Sequence, residues 1–167
     1  MSIRILLTGG TIDKLYSVEE GELRFEESHV EEMLDRANVT AEIVVEELML
    51  KDSLDISENE REQILQTCEV CDEECVLITH GTDTMVETAE LLGEAGIDKT
   101  IVLVGAMIPY TVRDSDAFFN LGFALSAVQL APGGVYIAMN GMLFDWDNVS
   151  KNFDEGRFEC IEDDSSG

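Results

Sequence analysis

Positive charge is scarce in this sequence. Ten lysines and arginines stand against 36 aspartates and glutamates, a formal charge of −26. A surface of that sign repels phosphate backbones and anionic lipid, which argues against nucleic acid and membrane surfaces as partners. Such acidity suits a salt-rich cell interior, but a heavily solvated face is the simpler reading. Long apolar runs are missing as well. The run after Met1 is only Ile5-Leu6-Leu7 before a turn, too short for a signal-peptide core or a membrane span, so a cytoplasmic location is expected. The four cysteines lack the regular spacing of a secreted disulfide framework. Cys68-x-x-Cys71-x-x-x-Cys75 raises a metal site, yet zinc sites pair such cysteines with a second pair or with histidines. Cys75 opens an apolar strand and Cys68 lies on the inner face of a helix, so buried inert thiols and no metal are the better reading.

Familiar phosphate-binding signatures are absent too. Ile3 to Leu7 reads as a buried strand ended by Thr8-Gly9-Gly10-Thr11, where paired glycines let the backbone turn sharply and approach a ligand. The third glycine and immediate helix of a dinucleotide fingerprint are lacking, as is the lysine–hydroxyl pair of a phosphate loop.

What is present is a chain of 167 residues, 45% apolar, in which strands alternate with helices. Residues 13–27 are polar and acidic, a lid-like loop with a small hairpin around Glu20-Gly21. Ser28 with Glu31, and Ser57 with Glu60, spell capping boxes that open two helices. Ala41 to Met49 is a strand candidate, and Ile64, Leu65 and Cys68 mark a buried helical stripe. The apolar run Cys75-Val76-Leu77-Ile78 leads into Thr79-His80-Gly81-Thr82-Asp83-Thr84 and a helix to about Ala95. Thr100 to Val104 is a fourth strand. Ser115 or Asp116 caps a helix whose Phe119, Phe123, Leu125 and Val128 turn to the core, and Val135 to Met139 is a fifth strand. The pattern predicts an α/β fold, a doubly wound, mostly parallel sheet with helices on both faces. Residues 141–167 read as loop with one hairpin at most, and the acidic end from about 161 as frayed. No linker or repeat divides the chain, so 1–167 is read as a single domain.

The strand-to-helix turn at Gly81 sets Thr82, Asp83 and Thr84 side by side at the carboxyl edge of the sheet, where open α/β folds bind ligands. Helix capping by Thr82 or Asp83 explains the same residues. His80 is read as a structural histidine supporting the turn, His29 offers no sign of function, and Arg113 beside Asp114 is a salt-bridged surface residue or a rim residue.

Taken together, Thr8-Gly9-Gly10-Thr11-Ile12, Asp52-Ser53-Leu54-Asp55, His80-Gly81-Thr82-Asp83-Thr84-Met85, Gly105-Ala106-Met107-Ile108-Pro109 and Asn148-Val149-Ser150-Lys151 closely resemble the N-terminal domain of the bacterial-type L-asparaginase/glutaminase family. The resemblance implies Thr11 as nucleophile, with Thr82, Asp83 and Lys151 as the second threonine and its acid–base partners. It places Ser53 on the substrate α-carboxylate, Asp83 on its α-ammonium, and Ala106 by its side-chain amide. Tyr16 corresponds to the family's loop tyrosine near the first threonine, or else packs as an aromatic anchor of the loop. Lys151 is either an active-site lysine or a surface lysine on a loose tail. The implied reaction is hydrolysis of a small amide to carboxylate and ammonia, without cofactor, in a homo-oligomer, dimer or tetramer. Turns at Gly9-Gly10 and Gly81 are candidate N–H donors to the oxyanion. Two departures stand out: the family's C-terminal domain, which supplies an acidic residue to the neighbouring protomer's site, has no counterpart, and Leu54 replaces a polar side chain. A non-catalytic module that binds aspartate or asparagine, and one piece of an amidotransferase, are the competing readings.

Overall fold

The computed structural model describes residues 1–161, so the expected fraying of the acidic end falls almost wholly outside the described residues. The chain opens with β1 (Ile3–Gly9) and a single 3-10 turn (Thr11–Asp13), then makes a hairpin from β2 (Leu15–Ser17) and β3 (Glu22–Arg24). That hairpin turns at Gly21, φ +72°, at the place read from Glu20-Gly21. Next come α1 (Val30–Arg36), β4 (Ile43–Lys51), α2 (Glu58–Val70), β5 (Cys75–Thr79) and α3 (Met85–Ala95). The second half runs β6 (Thr100–Val104), α4 (Ala117–Leu130), β7 (Gly134–Met139), β8 (Met142–Asp145), β9 (Ser150–Asn152) and β10 (Arg157–Glu159).

One six-stranded sheet, in the order β4-β1-β5-β6-β7-β8, holds the molecule together. Its strands are parallel except β8, which runs antiparallel to β7. The middle strands β5 and β6 are buried at every residue, as continuous Val/Ile/Leu runs require when helices cover both faces. On one face Leu6, Val76, Ile78, Ile101 and Leu103 pack with Ile64, Cys68, Met85 and Leu92 of α2 and α3. On the other, Ile3, Ile5, Leu77 and Val102 pack with Met33 of α1 and Ala117, Leu121, Ala124 and Val128 of α4. The doubly wound architecture is the expected one.

Three local expectations are corrected. The Ser57–Glu60 capping box forms, with Ser57 accepting from the Glu60 amide and Glu60 from the Ser57 amide. The Ser28–Glu31 box does not: α1 starts at Val30, and the Ser28 hydroxyl accepts from the Val30 amide while donating to the Asp13 carboxylate at 2.9 Å. In α4, Phe119 is 63% exposed and does not turn to the core; Val128 is buried and Phe123 and Leu125 half-buried as expected, and the fully buried stripe runs Ala117, Asn120, Leu121, Ala124 and Val128. Small alanines let that helix lie close on the sheet; phenylalanine has no room there. Finally, residues 141–161 hold a strand as well as one hairpin. Asn140 and Gly141 both have positive φ, the geometry of a tight hairpin turn, a local Asn-Gly signal for β8 that the sequence reading passed over.

Candidate active site

Successive parallel strands end on one edge of a sheet, so the carboxyl ends of β4, β1, β5 and β6 deliver their turns to a common line. The chain passes from β1 outward to β4 and then back to β5 on the other side of β1. The strand order reverses between β1 and β5, the position at which open α/β sheets bind ligands. Thr11 follows β1 and Thr82 follows β5.

The turns interlock through glycine. Gly10, at φ +82° and ψ 178°, lies so close to the β5 turn that a Cβ on it would stand 2.6 Å from Gly81 Cα. A Cβ on Gly81 would in turn meet Ser53 Oγ at 2.6 Å. Only residues without a side chain can fill either place. Across the same junction the Thr84 hydroxyl donates to the Ser53 carbonyl at 2.9 Å, and the Thr84 amide to Ser53 Oγ at 3.3 Å. The loops after β4 and β5 are therefore tied together over the end of β1, with Ser53 only 1% exposed beneath them.

Beneath the β5 turn, His80 is fully buried. Its Nδ1 lies 2.7 Å from the Gly81 carbonyl and its Nε2 2.8 Å from Thr88 Oγ1, which also accepts from Arg61 Nε at 3.1 Å. A carbonyl can only accept, so Nδ1 carries the proton. Thr88 Oγ1 accepts from Arg61 and, with the ring neutral, gives its own hydrogen to Nε2. The imidazole is neutral, and burial pushes its pKa down to about 4. His80 is a strut for the turn, as the sequence suggested.

Neither Thr82 nor Asp83 caps α3; that position falls to Thr84. Both are instead met by Lys151 from β9, whose Nζ lies 2.8 Å from Thr82 Oγ1 and 2.6 Å from Asp83 Oδ1. The lysine side chain is 8% exposed, so it sits in the fold and not on a loose tail. β9 is fixed by pairing with β10, whose Phe158 is buried in the core.

The remaining expected residues are placed as follows. The Gly10 N–H donates to the Lys51 carbonyl at 2.8 Å, so this amide is committed to the sheet edge and its role as an oxyanion donor is corrected. Tyr16 is 57% exposed on β2, with its hydroxyl 4.0 Å from a Cβ position on Gly21, over its own hairpin turn. Ala106 is buried beside Gly105, and the next two amides, of Met107 and Ile108, donate to the Asp116 carboxylate at 2.9 Å each. Asn120 Nδ2 donates to that carboxylate and to the Gly105 carbonyl, both at 3.0 Å, fixing the β6 turn. Ser115 rather than Asp116 accepts from the α4 amide of Ala117. Arg113 is 95% exposed beside Asp114, a surface residue.

Sequence reasoning passed over the fastenings of the β2–β3 hairpin. Asp13, wholly buried just after Thr11, accepts from both the Ser28 hydroxyl and the His29 amide, closing the base of the 14–27 excursion. Lys14 Nζ reaches Asp52 at 2.6 Å and holds its carboxyl below the usual carboxylate range. The Thr111 hydroxyl donates to the Lys14 carbonyl at 3.1 Å. Lysine is rare in this chain, and that rarity was the one available signal for Lys14.

The family described as "Asparaginase, N-terminal" matches residues 2–163. The chain belongs to the asparaginase family. It is 36% identical over 166 residues to L-asparaginase 2 of Escherichia coli, covering 90% of this chain and 46% of that protein. It is also 34% identical over 140 residues to L-asparaginase 2 of Bacillus subtilis, covering 78% of this chain and 36% of that one. Among solved structures, the thermostable L-asparaginase from Thermococcus kodakarensis superimposes with a TM-score of 0.83 at 27% identity, over 96% of this chain and 51% of the other. This asparaginase-family chain thus spans about half the length, or less, of the relatives it matches. Among its described residues no helix is long and apolar enough to cross a membrane.

Proposed function

We propose that this chain is an asparaginase-like amidohydrolase that releases ammonia from a small amide such as L-asparagine through Thr11. One observation carries the reading: Lys151 touches Thr82 Oγ1 at 2.8 Å and Asp83 Oδ1 at 2.6 Å. Packing alone has little use for a threonine, a carboxylate and a lysine converging at the carboxyl edge of a sheet. Acyl transfer does have a use for them. In this reading the Thr11 oxygen attacks the amide carbon, the proton it gives up passes to the amide nitrogen, and the C–N bond breaks to release ammonia and leave a threonyl ester. Water then cleaves the threonyl ester, returning the hydroxyl and a carboxylate. Lys151 donates to Thr82, so the Thr82 hydrogen is free to point at the reacting atoms. Asp83 keeps the ammonium in place and leaves an oxygen for a substrate α-ammonium; Ser53 serves the α-carboxylate, and Ala106 the amide. The reaction calls on no cofactor, and the proposal extends to a cytoplasmic homo-oligomer.

A second reading is favoured by the committed Gly10 amide and by Tyr16, which lies over its own hairpin: a module that binds aspartate or asparagine without turnover. Ammonia release from L-asparagine and L-glutamine by the wild type and Thr11→Ala, beside thermal shifts with L-aspartate, decides between them. Turnover lost in Thr11→Ala supports the enzyme. Binding in both proteins with turnover in neither supports the module. Turnover that survives Thr11→Ala removes the threonine mechanism.

A further inference from the structure

Among the described residues, Phe153 is the aromatic that meets the Lys151 ammonium, and several ties hold its backbone there. Its ring centroid lies 4.6 Å from Lys151 Nζ. The phenylalanine itself is 67% exposed, while the lysine side chain it overlies is only 8% exposed. Packing therefore does not account for the ring: it contributes little to the core and covers the lysine instead. Its backbone is set by the preceding residue. Asn152 Oδ1 accepts from the amides of Asp154 and Glu155 at 3.1 Å, and Asn152 Nδ2 donates to Glu159 at 3.2 Å. The hairpin carrying this turn is anchored by Phe158, 3% exposed, whose amide donates to Asn140 Oδ1 at 2.9 Å. A residue on a free loop tip would have none of these ties.

Resting on the amidohydrolase reading, we propose that Phe153 is a positioning residue for Lys151. A lysine ammonium is a compact, strongly hydrated charge on a flexible four-carbon stem, free to swing into water at a sheet edge. Thr82 and Asp83 occupy two of its three hydrogens. The face of an aromatic ring attracts a cation through its negative quadrupole and excludes water from the side it covers. Phe153 thereby leaves Lys151 the geometry in which it polarises the Thr82 hydroxyl. The requirement is for an aromatic face, not for bulk or greasiness. An exposed ring also forms part of the outer wall of the site, but its effect on the reaction passes through the lysine.

The test compares Phe153→Leu, which keeps an apolar cover, with Phe153→Tyr, which keeps the ring. Because the side chain lies mostly in solvent, both variants should fold. Two readouts are taken on the full chain. By NMR, the Lys151 ε-methylene protons should show an upfield ring-current shift in the wild type and Phe153→Tyr that is lost in Phe153→Leu. In ammonia release from L-asparagine, kcat should fall about three- to tenfold in Phe153→Leu with KM little changed, and recover in Phe153→Tyr. Equal ring-current shifts in all three proteins, or a kcat of Phe153→Leu equal to that of the wild type, would overturn the proposal. A wild type without turnover would strike at the amidohydrolase reading, and the NMR comparison would still decide whether the ring holds the lysine.

Discussion

Gly10 and Gly81 approach so closely at the carboxyl edge of the sheet that a single added methyl group on Gly10 would stand 2.6 Å from the Gly81 Cα. The contact locks the turn that precedes Thr11 against the turn that precedes Thr82. The backbone at Gly10, φ +82° and ψ 178°, lies in a region that is essentially glycine's alone. Gly10→Ala therefore meets both strain and overpacking, and should cost about 3 kcal/mol or more of stability. Urea unfolding of the two proteins measures it; a loss under about 1 kcal/mol would mean that the turns can separate cheaply.

Lys151 is brought to Thr82 and Asp83 from a hairpin far along the chain. If the three act as one unit, Lys151→Met and Asp83→Asn should each lower kcat for asparagine about 100-fold or more, the range for a lost proton-transfer partner. The double variant should then do no worse than the poorer single one. Stability should barely change on Lys151→Met, because Asp83 is 36% exposed and stays hydrated when left alone. Multiplying losses in the double variant would show independent roles, and a large loss of stability would make the lysine a structural residue.

How far the sequence revealed this arrangement depended on the range of the interaction. Strands that bury both faces announced themselves as apolar runs. Ser57 with Glu60 formed its capping box because the more distant Lys51 takes only one Glu60 oxygen and leaves the other for the Ser57 amide. Ser28 had the same local pattern, yet the buried carboxylate of Asp13 claims its hydroxyl. In α4, apolar residues surround the helix, so periodicity could not choose a face; the closeness of the sheet chose Ala117 and Ala124 over Phe119. The Lys151–Thr82 contact spans 69 residues and leaves no local trace, so family resemblance alone pointed to it. Nothing local told that the Gly10 amide would be taken by the Lys51 carbonyl, because that depends on which strand lies next to β1.

The Ser57 cap offers a small, clean measurement of local stabilisation. Ser57→Ala removes the acceptor for the Glu60 amide at the start of α2, while the helix packs through Ile64, Leu65 and Cys68 well away from the change. Loss of such a cap costs about 1 kcal/mol. A loss of that size in the unfolding free energy, read from chemical denaturation, is expected, with activity unaltered. A change in kcat would show that α2 transmits strain to Ser53.

His80 should govern part of the acid response of the fold. Its ordinary pKa of 6.5 is depressed to about 4, chiefly because burial disfavours the charged imidazolium. A histidine with a depressed folded pKa binds its proton more readily when the chain is unfolded. Its contribution is thus fully present above pH 6.5, and declines as pH falls from about 6.5 towards 4, below which both states are protonated. The loss over that window is on the order of 3 kcal/mol. His80→Asn keeps an N–H for the Gly81 carbonyl and cannot ionise. At neutral pH the variant should be somewhat less stable than the wild type, since it gives up the Thr88 bond. On acidification the wild type should lose more stability than the variant, narrowing or reversing the gap by pH 4.5. Unfolding curves at pH 7 and pH 4.5 supply the four numbers needed, and because every carboxylate titrates alike in both proteins, the difference belongs to His80. Parallel acid limbs would mean that the imidazole takes up its proton in the folded chain, and that the Arg61–Thr88–His80 relay yields to charge.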